Sequence, residues 1–478
     1  MSEITRTSPD SLQETLQQVM RLIERHKLIE GMVHKQDMPR HELVEQLVHK
    51  QHVAELEKKL ASLHPADIAH ILEALPLNDR GMVWQLVSSK DEGEVLLEVS
   101  DAVRESLLAD MAPHEILAAA SELDADELAD LVPDLPQAVQ QELFTSLDAE
   151  ELAQVETALT YRDDEVGALM DFDMVTIRDD VTLEVVLRYL RRFSALPNHT
   201  DKLFVIDERR RVKGVLPLEQ LLVNDPELTV AAVMATDVVL FHGHDDAGEA
   251  AQAFSRYDLV SAPVLDSNGL LIGRLTVDMM VDVIQEESEA EVLSLAGLKD
   301  EDLFSSVWAS AKNRWPWLAL NIATAFLASR VIGAFEATIA HLVALATLMP
   351  IVSGIGGNTG TQTITLIIRG IALGQINAGN APRLLLKESG IALLNGLVWG
   401  GVLGLIAWLL YRQIDLGLVM MGAMVLNLQV AALVGIGVPL IMQRLGRDPA
   451  YGSSVLLTAM TDSMGFFIFL GLATLFLT

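Results

Sequence analysis

Apolar residues recur along this chain in three rhythms, and each predicts a different kind of element. Between residues 63 and 158 the step is twelve. Leu63, Leu75, Val87, Val99, Met111, Leu123, Leu135 and Leu147 open successive units, and Ile71, Val83, Val95, Leu107, Ala119, Leu131, Leu143 and Val155 follow eight positions later. Ser100, Asp124, Asp148, Pro65, Pro76 and Pro136 stand within two residues of an opener, where side-chain oxygens and proline start helices. Each unit therefore predicts a short helix and a turn. Two units make a 24-residue helical hairpin, and stacked hairpins make a superhelix.

Between 164 and 285 the rhythm shortens to that of β-strands. The string LFVID (203–207) precedes RVKGVL (211–216), and about sixty residues on SAPVLD (261–266) precedes LLIGRL (270–275). Each pair reads as strand, turn, strand, then helix. A Met-containing start, GALM (167–170) or AAVM (231–234), lies upstream of each. Two degenerate β-α-β-β-α copies fit best, and the arrangement resembles a pair of CBS domains. Thr276 and Asp278 follow Gly273 as in that family's ribose-contacting pattern, which implies an adenine nucleotide such as ATP. The first copy has Pro217, Leu218 and Glu219 there and lacks the pattern.

The third rhythm is continuous. Five apolar spans, near 315–336, 340–367, 388–410, 417–441 and 453–477, are long enough to cross a bilayer. Trp315, Trp317, Trp408 and Tyr411 mark interfaces. Arg369, Arg383 and Lys387 in one loop, and Arg444 and Arg447 in another, lie on the side of the polar head. The positive-inside rule makes that head cytoplasmic and the C-terminus external, in a plasma or inner cell membrane.

Charge sharpens this picture. The 478 residues hold 34 Lys and Arg against 66 acids, a net of −32. From Trp315 onward there are five acids and seven bases, so residues 1–314 carry a net of −34. Such a head repels nucleic acid and attracts cations. There is no cysteine, hence no disulfide framework or thiolate metal site. VHKQ recurs at 33–36 and 48–51, nearly four helical turns apart, which reads as a repeated partner-facing surface rather than a histidine metal site.

The last span carries one acid, Asp462, about ten residues in and thus ~15 Å deep. A carboxylate there costs ~2.5–3.5 kcal/mol unless it meets water, protein or a cation. Ser454, Thr458, Thr461, Asp462 and Gly465 fall on one helical stripe, the small and polar seam a cation path needs. The second span holds MPIVSGIGGNTGTQT (349–363), whose Gly354, Gly357, Asn358 and Gln362 suit a pore lining rather than lipid. Mg²⁺ accepts hard oxygen ligands, and Asp462, Thr458, Thr461 and Asn358 supply them without histidine or cysteine. One carboxylate per chain is few for a divalent ion, whereas a two-fold dimer brings two.

The whole order now resembles the MgtE family of magnesium channels: acidic helical repeat, paired CBS units, acidic connecting helix, five spans, GGNTGTQ (356–362), and DPA (448–450) followed by TDSMG (461–465). The resemblance implies a homodimeric, Mg²⁺-selective, Mg²⁺-gated uptake channel in the bilayer, not an enzyme. It implies Asp462 as the pore aspartate, Asp448 at the mouth, and Asp246, Asp258, Asp282, Glu287 and Glu291 as cytosolic sensor carboxylates. Met279 and Ala290 stand where the family often has acids. The expected segments are a helical extension (1–47), the repeat (48–162), two CBS domains (163–226 and 227–285), a connecting helix (286–313) and a five-helix transmembrane bundle (314–478). A coupled exchanger or efflux carrier, and a membrane-anchored sensor that transports nothing, remain alternatives.

Overall fold

The computed structural model describes residues 9–33, 53–298, 301–376 and 379–477, so the repeated VHKQ strings, apart from Val33, lie outside the described residues. The chain divides into two compact units. The first runs to Ser288 and takes in Asp302–Ser305; the second comprises Glu289–Glu301 and everything from Ser306 onward.

The first unit begins with α1 (Pro9–Val33), whose Val19 and Ile23 enter the core of the repeat beside Leu56 and Leu60. The repeat follows as α2 (Pro65–Glu73), α3 (Leu77–Trp84), α4 (Glu92–Glu98), α5 (Asp101–Asp110), α6 (Pro113–Ala120), α7 (Ala125–Leu131), α8 (Gln137–Ser146) and α9 (Ala149–Ala158). All eight residues of the second apolar set, Ile71 to Val155, are buried, which is why the step of twelve persists. Asp148 caps α9 by accepting the Glu150 and Glu151 N–H groups at 2.8 and 3.0 Å. Helix α2 stacks on α4, α4 on α7 and α7 on α9, with α6 on α8. A long donor recurs at one register of the repeat. Arg80, Arg104 and Gln140 each donate to the carbonyl eight residues back, at Leu72, Leu96 and Val132, near a helix end where carbonyls lack a full set of intrahelical partners.

The CBS pair forms two three-stranded sheets with the expected β-α-β-β-α order. The first has β1 (Thr176–Arg178), α10 (Leu183–Leu190), β2 (Lys202–Ile206), β3 (Val212–Pro217) and α11 (Leu218–Val223); after α12 (Val230–Val233), the second has β4 (Phe241–His242), α13 (Ala247–Tyr257), β5 (Ser261–Leu265), β6 (Leu271–Thr276) and α14 (Val277–Ala296). In each, the first strand pairs parallel and the last antiparallel to the middle one. The Met-containing starts do not serve their own copies. Asp171, after Met170, exchanges backbone hydrogen bonds with Arg274 on β6, and Ala235, after Met234, does so with Val215 on β3. Gly214 and Gly273 permit these crossings, since a Cβ would lie 2.4 Å from the Ala235 oxygen or 2.9 Å from the Met170 sulfur. The helix α14 runs unbroken from 277 to 296, across the expected domain boundary at 285–286.

The second unit contains α15 (Val307–Ala334), the short α16 (Glu336–His341), α17 (Ala344–Ala372), α18 (Ala381–Tyr411), α19 (Ile414–Arg444) and α20 (Ser453–Leu477). By length and composition α15, α18, α19 and α20 can cross a membrane. The 29-residue α17 is equally long but diluted by its polar string. The first membrane helix starts at Val307, ahead of the expected boundary, because Ser306 caps it through the Ala309 N–H at 3.3 Å. Its lower turns carry Trp308 against Trp315, edge to face at 5.2 Å. Helices α17, α19 and α20 pack mutually, α18 lies along α19, and α15 along α20.

Candidate functional site

Asp462 projects from the middle of α20 toward α17, where the Ser353 hydroxyl donates to its Oδ1. The partner is a hydroxyl rather than a cation. On the same two helices, Gly354, Asn358 and Gln362 of α17 and Thr458 of α20 are exposed. Gly354 and Asn358 are one turn apart, as are Thr458 and Asp462, so each helix presents a short polar ridge.

Thr461 and Gly465 lie elsewhere. Thr461 is fully buried and its hydroxyl bonds the Leu457 and Thr458 carbonyls at 3.0 and 3.2 Å. Gly465 faces Asn427 on α19; a Cβ there would lie 3.0 Å from Asn427 Nδ2. The reason is the helical step. Ser454, Thr458 and Asp462 share a ridge at intervals of four, and Thr461 and Gly465 occupy the next ridge, turned into the bundle. Gly357 supports that packing, with its hypothetical Cβ 3.9 Å from Thr461 Oγ1. Ser454 sits at the start of α20, where its hydroxyl donates to the Leu295 carbonyl of α14 at 2.9 Å. Leu295 itself packs with Ile364, Ile368 and Leu457. Asp448 folds the turn before α20 by accepting the Ala450 N–H at 2.8 Å.

Two residues of the site were not singled out from sequence. Ser353 is one; its interval of four to Gly357 was the available signal. Asn427 is the other. It is completely buried, its Nδ2 donates to the Val352 carbonyl at 2.8 Å, and its Oδ1 has no partner among the described residues. Gly356 leaves the space it fills, since a Cβ there would be 2.2 Å from Nδ2. A fully buried amide inside an apolar span signals a role in packing or function.

The cytosolic acids present a second pattern. Carboxylates of the repeat face carboxylates of the CBS pair and of α14. Burial, and then the Asp282 charge, raise the pKa of Glu98. Burial, then Asp101 and Asp130, raise that of Glu286. Burial, then Asp171, push Asp126 up to about 7. Of the sensor candidates, Asp282 faces Glu98 and is raised by burial and then Asp278. Asp246 caps the N-terminus of α13 through the Glu249 N–H at 2.9 Å, and Glu287 lies against the same turn, its Oε1 2.0 Å from a hypothetical Cβ on Gly248. Asp258 caps the opposite end of α13 in the left-handed region, φ 51°. Glu291 is half-buried in the second unit. Among the described residues no three acids or histidines converge as a ligand set within one chain.

In the CBS pair, Thr276 is buried with an Oγ1 that has no partner among the described residues, and Asp278 lies 3.5 Å from His199 Nε2. Nearby, Ser261 donates to Asp201 at 2.5 Å and Lys202 Nζ to the Ser261 carbonyl at 2.9 Å. An idle buried hydroxyl beside an exposed carboxylate suits a ribose, and Lys202 supplies positive charge close by.

Residues 349–472 match the MgtE family of divalent cation transporters, 63–164 the MgtE intracellular N domain, and 166–225 and 230–286 CBS domains. The chain is 33% identical over 440 residues to the magnesium transporter MgtE of Thermus thermophilus, covering 88% of this chain and 95% of the relative. It is 28% identical over 426 residues to the magnesium transporter MgtE of Bacillus subtilis, covering 89% and 94%. The crystal structure of the cytosolic domain of the Mg²⁺ channel MgtE in complex with ATP is 33% identical, with a TM-score of 0.45, covering 50% of this chain and 98% of that one.

Proposed function

Because the chain belongs to the MgtE family of divalent cation transporters, we propose that it carries Mg²⁺ into the cell as a channel gated by cytosolic Mg²⁺. The observation that carries this reading is Asp462: a carboxylate at mid-span, held by the Ser353 hydroxyl, on helices that also expose the amide of Asn358 and the hydroxyl of Thr458. Mg²⁺ sheds water reluctantly, so a ring of oxygens around the hydrated ion suits it better than a tight cage. A homodimer places two copies of Asp462 about one axis and matches the charge of the ion. An inside-negative potential drives entry, at ~2.3 kcal/mol per charge per 100 mV, with the C-terminus outside.

Gating follows from the facing acids. Glu98 against Asp282, Glu286 against Asp101 and Asp130, and Asp126 against Asp171 hold like charges close. That proximity costs energy unless protons or cations bridge them, so cytosolic Mg²⁺ stabilises this arrangement and its loss releases it. Asp282 and Glu286 belong to α14, the helix whose far end accepts the Ser454 hydroxyl of the path-bearing helix. The sensor role extends to Asp246, Asp258, Glu287 and Glu291, and Thr276 with Asp278 receive an adenine nucleotide.

The test is Mg²⁺ influx into proteoliposomes with no Na⁺ or H⁺ gradient, for the wild type and Asp462→Asn. Flux in the wild type that is lost in the variant supports the channel. Flux that requires a counter-ion gradient sinks it in favour of an exchanger. Protease protection of the first unit by millimolar Mg²⁺ tests the gating, and equal cleavage with and without the ion overturns it.

A further inference from the structure

The helical repeat also shows where it is interrupted. Arg80 and Arg104 occupy equivalent positions of successive hairpins, and each Nε bonds the carbonyl eight residues back, at 3.0 and 2.8 Å. Arg104 finds its counter-charge inside the repeat. Asp130, 26 positions on, lies 3.2 Å from Nη2, and Asp134 lies 3.3 Å from Nη1. The residue 26 positions after Arg80 is Ser106, a neutral hydroxyl 3.3 Å from Nη1. The missing carboxylate comes instead from Asp302, 222 residues away, which takes Nη1 and Nη2 at 2.7 and 3.0 Å. The fifth donor reaches the Leu75 carbonyl at 3.2 Å, so every guanidinium N–H is used. Both side chains are buried, at 1% and 5% exposed.

Asp302 also shapes its own turn, accepting the Phe304 N–H at 2.9 Å. The residues that flank the turn bond to the first turns of the first membrane helix. Glu301 receives Asn313 Nδ2 at 2.8 Å, and Ser306 caps α15.

We propose that the Arg80 pocket is a docking site for the chain's own acid-bearing turn, residues 302–305, and that this latch couples the repeat domain to the start of α15. A surface ion pair would not do this, because it contributes little and slides with salt. A buried bidentate pair has one geometry, and leaving either charge alone in the pocket is costly. The turn therefore stays seated or leaves whole. The coupling rests on the proposed Mg²⁺ gating; the docking does not.

The test uses the full chain and exploits the interrupted repeat. Ser106→Asp restores an acid where Arg104 has Asp130, so Arg80 stays paired while Asp302 is displaced. Asp302→Asn is the second variant. Hydrogen exchange of the Phe304 and Ser305 amides is expected to rise about tenfold or more in both, with α2 to α5 as protected as in the wild type. In proteoliposomes the Mg²⁺ concentration that halves influx is expected to rise about threefold or more, with maximal influx kept. Unchanged exchange in both variants overturns the docking. Raised exchange with an unchanged Mg²⁺ response overturns the coupling. A wild type that conducts no Mg²⁺ removes the gating reading, and the exchange measurement still decides the docking.

Discussion

Ser353 donates its hydroxyl hydrogen to Asp462 across the α17–α20 contact, so the one acid of the last span is oriented by a neutral neighbour. A neutral partner fixes direction without cancelling charge. Ser353→Ala is therefore expected to keep influx within about threefold of the wild type, because a single neutral hydrogen bond is worth ~1 kcal/mol. Asp462→Ala is expected to lower it at least about tenfold, since the charge itself is lost. Dye-reported Mg²⁺ entry into proteoliposomes measures both, and equal losses would assign the hydroxyl a larger part.

Asn427 ties α19 to the Val352 carbonyl of α17 in the space left by Gly356 and Gly465. Replacement by leucine removes that bond and adds bulk between three helices. We expect a loss of about 1–3 kcal/mol, read as a lower unfolding midpoint in detergent.

Asp126 gives a pH dependence with a definite sign. Its pKa in the folded chain is about 7, raised by burial and by Asp171, against about 3.9 when unfolded. Between these values the folded chain keeps a proton that the unfolded chain has lost. Stability therefore falls as pH rises through that window and stays reduced above it. Without Mg²⁺, the wild type is expected to melt earlier at about pH 8 than at about pH 5.5, and Asp126→Asn to flatten that fall. Mg²⁺ is expected to add more stability at the higher pH, where the carboxylates are bare. A melting series with and without Mg²⁺ at the two pH values checks the sign.

Thr276→Ala and Asp278→Ala are expected to weaken ATP binding by about tenfold each, if each removes one ribose contact of ~1.4 kcal/mol. Calorimetry on the full chain measures this. Substitution at Glu219, the first copy's equivalent, is expected to change little.

Much of the fold was open to reading. The step of twelve survives because every second-set residue from Ile71 to Val155 is buried, so burial wrote the pattern directly into the chain. Asp462 stood out because a charge in an apolar span is rare. Its seam was legible only in part. An i, i+3, i+4 stripe spans two ridges, and one of them, with Thr461 near Gly357 and Gly465 against Asn427, faces inward while Thr458 does not. The Arg80–Asp302 pair was out of reach, since nothing local links residues 222 apart. The substitution of Ser106 for an acid was nonetheless visible once the repeat was aligned on itself.

The crossed starts of the two CBS copies bear on how this region can be handled or rebuilt. Asp171 completes the sheet that holds Arg274, and Ala235 completes the one that holds Val215. Cutting the pair at its midpoint would strip each half of a backbone neighbour and leave raw strand edges that seek other chains. The two copies thus behave as a single indivisible part, to be transplanted or deleted together.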